Sequence, residues 1–250
     1  AFGSYSQASA ESALLFYKEF ITSSSLWNKN LPPMRVSSPE TAELAKLTAN
    51  AFLSTKMSFA NMTDMLCQKV GVDSRELMRI VGSDWRIGIQ MLRPGFAWGG
   101  NCFPRDMQSL IETYAENGVD PSLLKAALEI NDTRLYEPYR IMQKTGIHKG
   151  LVLVLGLAYK SGITMTTGSK SLQLLRYLQE KGYDAVGYDP NLNPGDENRF
   201  LEKTYQAVIV TTNEPCFERM ISDARKRNPK LLVLDYRMTK MLSPQSSGKR

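Results

Sequence analysis

From Glu40 to Val70 the chain contains neither glycine nor proline, and Leu44, Leu47, Ala51, Met57 and Leu66 recur along it at helical spacing. The run predicts one helix of about 30 residues, roughly 45 Å long. Ser38 and Pro39 mark its start: a side-chain cap, then the residue whose fixed φ and missing N–H suit the first helical position. Gly71 stops it. An element this long has to serve as the spine of a helical unit or as an interface between copies of the chain.

The flanking sequence extends that unit. The chain opens on a small, polar stretch and then reads as one helix through Leu14, Leu15, Phe16, Phe20 and Ile21. A loop follows to Pro32-Pro33, and Met34-Arg35-Val36 predicts a short strand. After Gly71, helices are expected from Val72-Asp73 to about Val81, over Pro104–Asn117, and from Pro121 to about Met142. No strand pattern interrupts residues 39–142.

The period changes near Gly150. Leu151–Leu155 is a continuous apolar run, the pattern of a parallel strand covered on both faces. Asp184–Tyr188, Ala207–Thr212 and Leu231–Asp235 predict three further strands, with helices over Leu172–Lys181 and Phe217–Lys226. Alternation of this kind predicts an open parallel α/β sheet. Ligands of such sheets bind beyond the carboxyl ends of the strands, here Gly156–Lys160, Asp189, Thr211–Asn213 and Asp235–Arg237. The first of these turns, Gly156 to Gly162, is neither GxGxxG nor a Walker loop, so the sheet need not bind a dinucleotide. It could hold a nucleotide another way, through Lys160.

Composition removes several classes. The chain has 250 residues, 42% of them hydrophobic and 22% charged, which excludes collagen, low-complexity disorder and a disulfide-stapled scaffold. No window holds 18 consecutive apolar residues, so no membrane span is expected. The formal charge of +6 suits an anionic ligand, but much of the excess lies late in the chain, from Arg225 to Lys230 and at Lys249-Arg250. No dense basic stripe or module points to nucleic acid. Cys67, Cys102 and Cys216 are widely spaced, with no CxxC pair, and His148 is the one histidine, in a turn where it reads as exposed and non-catalytic. That pattern argues against a metal site and for free thiols in a reducing, cytoplasmic compartment. No signal peptide is visible.

Cys102 is the sharpest chemical candidate. It follows Gly99-Gly100 and precedes Phe103-Pro104, so it is expected just before a helix N-terminus, where free N–H groups and the helix dipole attract negative charge on sulfur. Asp106 lies about one turn further on, able to orient a thiol, a lysine or a water. A buried, merely packed cysteine is the plain alternative. Lys46 and Asn50 are four apart on the long helix and share a face, as a pair of oxyanion donors or simply as a solvated surface. Trp85 and Trp98 flank the glycine-rich stretches and fit a ligand ring or the core equally well.

Taken together, these segments resemble the UDP-glucose/GDP-mannose dehydrogenase family from roughly residue 10 to the end. The likeness is carried by Ala42-Glu43-Leu44-Ala45-Lys46-Leu47 with Asn50, by Asp84-Trp85-Arg86-Ile87-Gly88, and by Pro94-Gly95 through Gly99-Gly100-Asn101-Cys102-Phe103-Pro104-Arg105-Asp106. It continues in Leu155–Lys160, Gly187-Tyr188-Asp189-Pro190 and Leu234-Asp235-Tyr236-Arg237. The resemblance implies an α/β protein. A central all-helical dimerisation domain, built on a long spine helix, precedes an open parallel-sheet, Rossmann-like domain that binds a nucleotide sugar. The implied divisions are a linker region at 1–36, the helical domain at 37–145, the α/β domain at 146–243 and a tail at 244–250.

Members of the family oxidise the C6 hydroxymethyl of a nucleotide sugar to a carboxylate with two NAD in succession, a step of polysaccharide biosynthesis. The resemblance implies Cys102 as nucleophile, Lys46 and Asn50 as oxyanion donors and Asp106 as the group assisting water. It implies Arg86, Arg93, Phe96, Trp98, Gly99, Gly100, Tyr159, Lys160 and Arg237 as contacts to the sugar nucleotide, and Arg105 on the cofactor side. The chain departs from the family at Ala97, at Asn101, and at Thr167, which stands where relatives carry an arginine. Relatives also begin with an NAD-binding domain and an acidic linker residue, and neither is expected here, since the sequence opens on Ala1 where that domain should end. The chain is therefore expected to bind a UDP-sugar or GDP-sugar better than it oxidises one, as a homodimer through the long helix or beside a chain supplying the NAD site. The competing readings are a shortened, non-catalytic relative that binds nucleotide sugars or a partner subunit, and an unrelated use of the scaffold.

Overall fold

The computed structural model describes residues 2–23 and 36–237. The chain divides into two units, Ala1–Phe52 and Leu53–Arg250. The first unit holds β1 (Phe2–Gly3), α1 (Gln7–Ser23), β2 (Val36–Ser37) and the start of α2 (Pro39–Val70). β1 and β2 pair in parallel, Phe2 opposite Val36. The Phe2 ring lies 4.8 Å from that of Tyr17 on α1. The cap read from the sequence forms: the Thr41 N–H donates to Ser38 Oγ at 3.2 Å. Met34, Arg35 and the Pro32-Pro33 loop lie outside the described residues, whereas Val36 is in β2.

In the second unit α2 ends at Val70 and is followed by α3 (Ser74–Gly82), α4 (Cys102–Glu116) and α5 (Ser122–Lys144). Asp73 caps α3, accepting from the N–H groups of Arg75 and Glu76. α4 starts two residues before the predicted Pro104, which puts Cys102 in the first helical position and not ahead of it.

The α/β part contains β3 (Leu151–Leu155), α6 (Lys170–Glu180), β4 (Asp184–Tyr188), α7 (Glu197–Leu201), β5 (Ala207–Val210), α8 (Phe217–Arg227) and β6 (Leu232–Asp235). The four strands form one parallel sheet in the order β4-β3-β5-β6. In register, Leu155 lies opposite Tyr188 and Val210, and Val210 opposite Asp235, so all four carboxyl ends share one edge. Alternate residues of the apolar strands serve opposite layers. Val152, Val154 and Ile209 pack with Leu135 and Met142 of α5 and Leu174 and Leu178 of α6. Leu153, Leu155, Val208 and Val210 pack with Phe217, Met220 and Ile221 of α8. Burying each such side chain contributes about 1.5–3 kcal/mol. This is the mixed helical and parallel-sheet α/β architecture expected from the sequence. α7 was not predicted, because its five residues are too few to display a helical period.

The long helix forms over the predicted extent, Pro39–Val70, with Ala51 buried at 1% exposure. Its buried positions are small or polar, Ser54, Ser58, Asn61 and Asp64 among them, while Leu66 stands 58% exposed in a stripe with Phe59, Met62 and Val70. Leu44 is exposed as well.

Candidate functional site

The polar side of α2 grips one loop. Asn61 Oδ1 accepts the Gly95 N–H at 2.8 Å, and Asn61 Nδ2 donates to the Phe96 carbonyl at 3.4 Å. The Trp98 indole N–H donates to Ser58 Oγ at 3.0 Å, and that hydroxyl donates to the Ala127 carbonyl at 2.7 Å. From α5, the Asn131 carboxamide takes the Trp98 N–H at 2.8 Å and donates back to the Trp98 carbonyl at 2.9 Å. One turn along, Arg134 Nε donates to the Gly95 carbonyl at 2.7 Å. A glycine-rich segment with high chain entropy is thereby held at five backbone groups and one indole.

Arg134 is itself sealed, at 1% exposure. Its Nη2 reaches Asp64 at 2.6 Å, its Nη1 reaches Glu137 at 2.7 Å, and its guanidinium lies over the Tyr236 ring at 4.7 Å. Burial pushes the Glu137 carboxyl above its usual range, with the Arg134 charge pulling it partly back. Burial likewise raises the Tyr236 phenol well above its usual value. The Phe96 ring packs edge-on to Tyr236 at 5.4 Å.

The far end of the loop meets the α/β part through glycines. Gly100 N–H donates to the Gly168 carbonyl at 3.0 Å. A Cβ on Gly99 would lie 2.3 Å from that carbonyl oxygen, and one on Gly168, where φ is +70°, 2.5 Å from the Gly100 carbonyl. The Tyr159 ring covers Gly100 so closely that a Cβ there would stand 2.9 Å from it. α5 braces this side too, with Asp132 3.5 Å from the Lys170 ammonium.

Beyond the loop, Cys102 is exposed at the first position of α4, and Asp106 is 1% exposed one turn later on that helix. Arg105 reaches back to Asp106 Oδ1 at 3.1 Å, its own side chain 64% exposed. Tyr159, Lys160 and Arg93 are exposed. The loop residues, Cys102, Asp106 and Tyr159 are thus brought together by direct contact or by sharing α4. Trp98 is 6% exposed and is spent on anchoring the loop. Arg86 is exposed and engages Asp84, which lowers that carboxyl below its usual range. Arg237 is 7% exposed between Asp235 and Glu218 at 2.9 Å, its guanidinium raised above its usual value mainly by the Asp235 bond. Lys46 is exposed and Asn50 half-buried in the first unit, on α2.

A cavity of about 610 Å³ opens beside the start of the loop, with Asp64, Arg134, Pro94, Gly95, Asp235 and Arg237 in its wall. Cys102 is not part of that wall, so the thiol marks the candidate site and the cavity does not. Among the described residues, no group of acidic, histidine and cysteine side chains could hold a metal, and no helix is long and apolar enough to cross a membrane.

The sheet's own phosphate turn is filled from within. Asp189 Oδ2, fully buried at the end of β4, accepts the N–H groups of Leu157 at 2.8 Å and Ala158 at 2.9 Å. Glu214 takes the Gly162 N–H and the Ser161 hydroxyl, both at 2.9 Å. Those donors are the ones a dinucleotide pyrophosphate would need, so these residues do not fit such a cofactor at this edge. The sequence pattern missed Asn61, Asn131 and Arg134, since a polar residue on a helix signals burial only through partners distant in the chain.

Residues 40–133 match the central domain of the UDP-glucose/GDP-mannose dehydrogenase family, and residues 153–241 match that family's UDP binding domain. The chain belongs to this family. It is 36% identical over 231 residues to the UDP-glucose 6-dehydrogenase AglM of Haloferax volcanii, covering 82% of this chain and 53% of the relative. It is 33% identical over 187 residues to the UDP-glucose 6-dehydrogenase TuaD of Bacillus subtilis, covering 72% and 41%. Among solved structures, a UDP-glucose dehydrogenase from Pyrobaculum islandicum superposes with a TM-score of 0.77 at 25% identity, over 94% of this chain and 57% of that one. The chain spans about half the length of the relatives it matches.

Proposed function

We propose that these residues form the nucleotide-sugar-binding and thiol-bearing part of a nucleotide-sugar 6-dehydrogenase, with UDP-glucose as substrate. The observation that carries the reading is the braced loop Pro94–Gly100 leading straight into an exposed Cys102, with Asp106 one turn behind it.

In this reading the UDP-sugar lies along the loop, with Phe96, Gly99 and Gly100 shaping its bed, Trp98 anchoring that bed from within, and Tyr159 and Lys160 meeting the ligand from the α/β part. Lys160 and Arg93 supply cations for the diphosphate, joined by Arg86 and Arg237 if their carboxylate partners yield. The Cys102 sulfur adds to the carbon of a C6 aldehyde. A C–S bond forms, and the thiol proton goes to the carbonyl oxygen. A hydride acceptor held outside these residues would be needed to take the adduct to the acyl level; Asp106, one turn behind the thiol, would then take the proton of the water that releases the acid and return a proton to the departing sulfur. NAD is the hydride acceptor that the family resemblance implies, with Arg105 toward it. Asp189 occupies the N–H groups of the sheet's first turn, so the α/β part does not supply that acceptor's site. The same feature favours a second reading in which these residues bind the nucleotide sugar and do no redox chemistry by themselves.

The exposed stripe of Phe59, Met62, Leu66 and Val70 is assigned to a second copy of the chain, which makes a homodimer across α2. Calorimetry with UDP-glucose tests the proposal. Binding that weakens about tenfold or more in Lys160→Ala is expected. Absence of binding, or binding indifferent to Lys160 and undisturbed by alkylation of Cys102, overturns it.

A further inference from the structure

The loop's register is set by groups outside it, and one of them is a single side chain. The Asn131 carboxamide closes on the N–H and the carbonyl of the same residue, Trp98, as a neighbouring strand would. It is 1% exposed, so neither bond has water as a substitute. Trp98 is followed directly by Gly99 and Gly100, which pack against Gly168 with no space for a Cβ, and then by the turn into α4 that carries Cys102. A shift of the Trp98 peptide would therefore pass along four residues to the thiol. The other holds on the loop act on other groups: Asn61 and Arg134 on Gly95 and Phe96, Ser58 on the indole, and the Gly168 carbonyl on the Gly100 N–H.

We propose that Asn131 is a positioning residue, which fixes the peptide plane of Trp98 and thereby the presentation of Gly99, Gly100 and Cys102 to the ligand. This rests on the proposed nucleotide-sugar site, but its physical content does not depend on which ligand that site takes. The carboxamide is needed as donor and acceptor at once, and only an amide offers both in that geometry. An isosteric carboxylate keeps the bond from the Trp98 N–H and turns the other into an oxygen–oxygen repulsion.

The test uses the full chain with Asn131→Asp, with Asn131→Ser as a second variant that removes the pair without adding charge, and with Gln143→Leu as a control. The control breaks side-chain bonds of α5 to Tyr183 and His148, far along the helix from the loop. Hydrogen exchange of the peptide covering residues 93–103, the rate of Cys102 alkylation, and UDP-glucose affinity are read well below each unfolding midpoint. Faster exchange confined to that peptide and an altered alkylation rate are expected in both Asn131 variants, with affinity at least about tenfold weaker. The control should move none of the three. Wild-type exchange and alkylation in both Asn131 variants overturn the inference, as does exchange raised equally along all of α5, the mark of a purely structural role. If the wild type does not bind UDP-glucose, the proposed function fails while exchange and alkylation still decide the role of Asn131.

Discussion

Replacing Arg134 by methionine removes one cation from between two carboxylates in the protein interior. The guanidinium holds Asp64, Glu137 and the Gly95 carbonyl, and its face lies on Tyr236. Losing one partner of a buried pair costs about 3–5 kcal/mol, because the other charge stays uncompensated. Two features bring the expected loss toward the lower end, about 3 kcal/mol. Asp64 keeps bonds from Ser74 Oγ and Gln68 Nε2, and Glu137 can accept a proton. The proton gives the loss a sign with pH. Burial already holds the Glu137 carboxyl above its unfolded value of about 4.3, and Arg134 is the largest influence opposing that rise. Without it the carboxyl rises further. Between the unfolded and folded values the native state binds more protons than the unfolded state, so stability grows as pH falls through that window and is lost as pH rises. Urea unfolding of wild type and Arg134→Met at about pH 8 and about pH 5 should therefore show the larger loss at the alkaline end, and adding Glu137→Gln should recover part of it. A loss under about 1 kcal/mol, or one that does not change between the two pH values, would refute the reasoning.

Three further outcomes are expected. Iodoacetamide should label Cys102 well before Cys67, which is 3% exposed and whose thiol burial pushes up, and mass spectrometry of peptides after short exposure reads the order. Gly168→Ala forces a side chain into a left-handed backbone and onto the Gly100 carbonyl, so it should cost about 2 kcal/mol or more of stability and weaken UDP-glucose binding, measured by thermal unfolding and calorimetry. Leu66→Asp puts a charge in the exposed stripe of α2 and should convert a dimer to monomer in sedimentation, with the unfolding midpoint of the monomer little changed; a wild type already monomeric at working concentration would refute the stripe's assignment.

The strands and most helices were legible because their signals are local. Leu151–Leu155 is apolar at every position, and such a run has few homes other than a sheet covered on both sides. The long helix was legible in extent, but its spacing alone did not say which side is buried: the structure buries Ala51 together with Ser54, Ser58, Asn61 and Asp64, and exposes Leu44 and Leu66. Hydropathy ranks residues by the cost of burying them without partners, and these have partners: Trp98, Gly95, Arg134 and Ser74 for the last three. Those partners lie ten to about seventy residues away. Cys102 and its glycine-rich approach stood out in the sequence because the features that mark them are adjacent. Asn131 did not, because its whole role is a contact across 33 positions.

Charge at the proposed site leads to a narrower expectation than the sequence allowed. Arg237, read from the sequence as a contact to the nucleotide, already faces Asp235 and Glu218, and Arg86 already faces Asp84. An anion approaching either must compete with carboxylates in place, and for Arg237 that competition occurs in a buried setting where exchange of partners is costly. Lys160 and Arg93 are exposed with no ion pair of that kind among the described residues. A diphosphate ligand would accordingly draw most of its charge-assisted binding from those two, and its affinity should fall steeply as salt screens them. Arg237→Met should then lower stability, by stranding Asp235, more than it lowers affinity at temperatures where the variant is folded. Lys160→Ala should do the reverse. If Arg237→Met abolished binding in a chain of undiminished stability, the pair with Asp235 would have to open for the ligand, and the order of importance among the cations would be inverted.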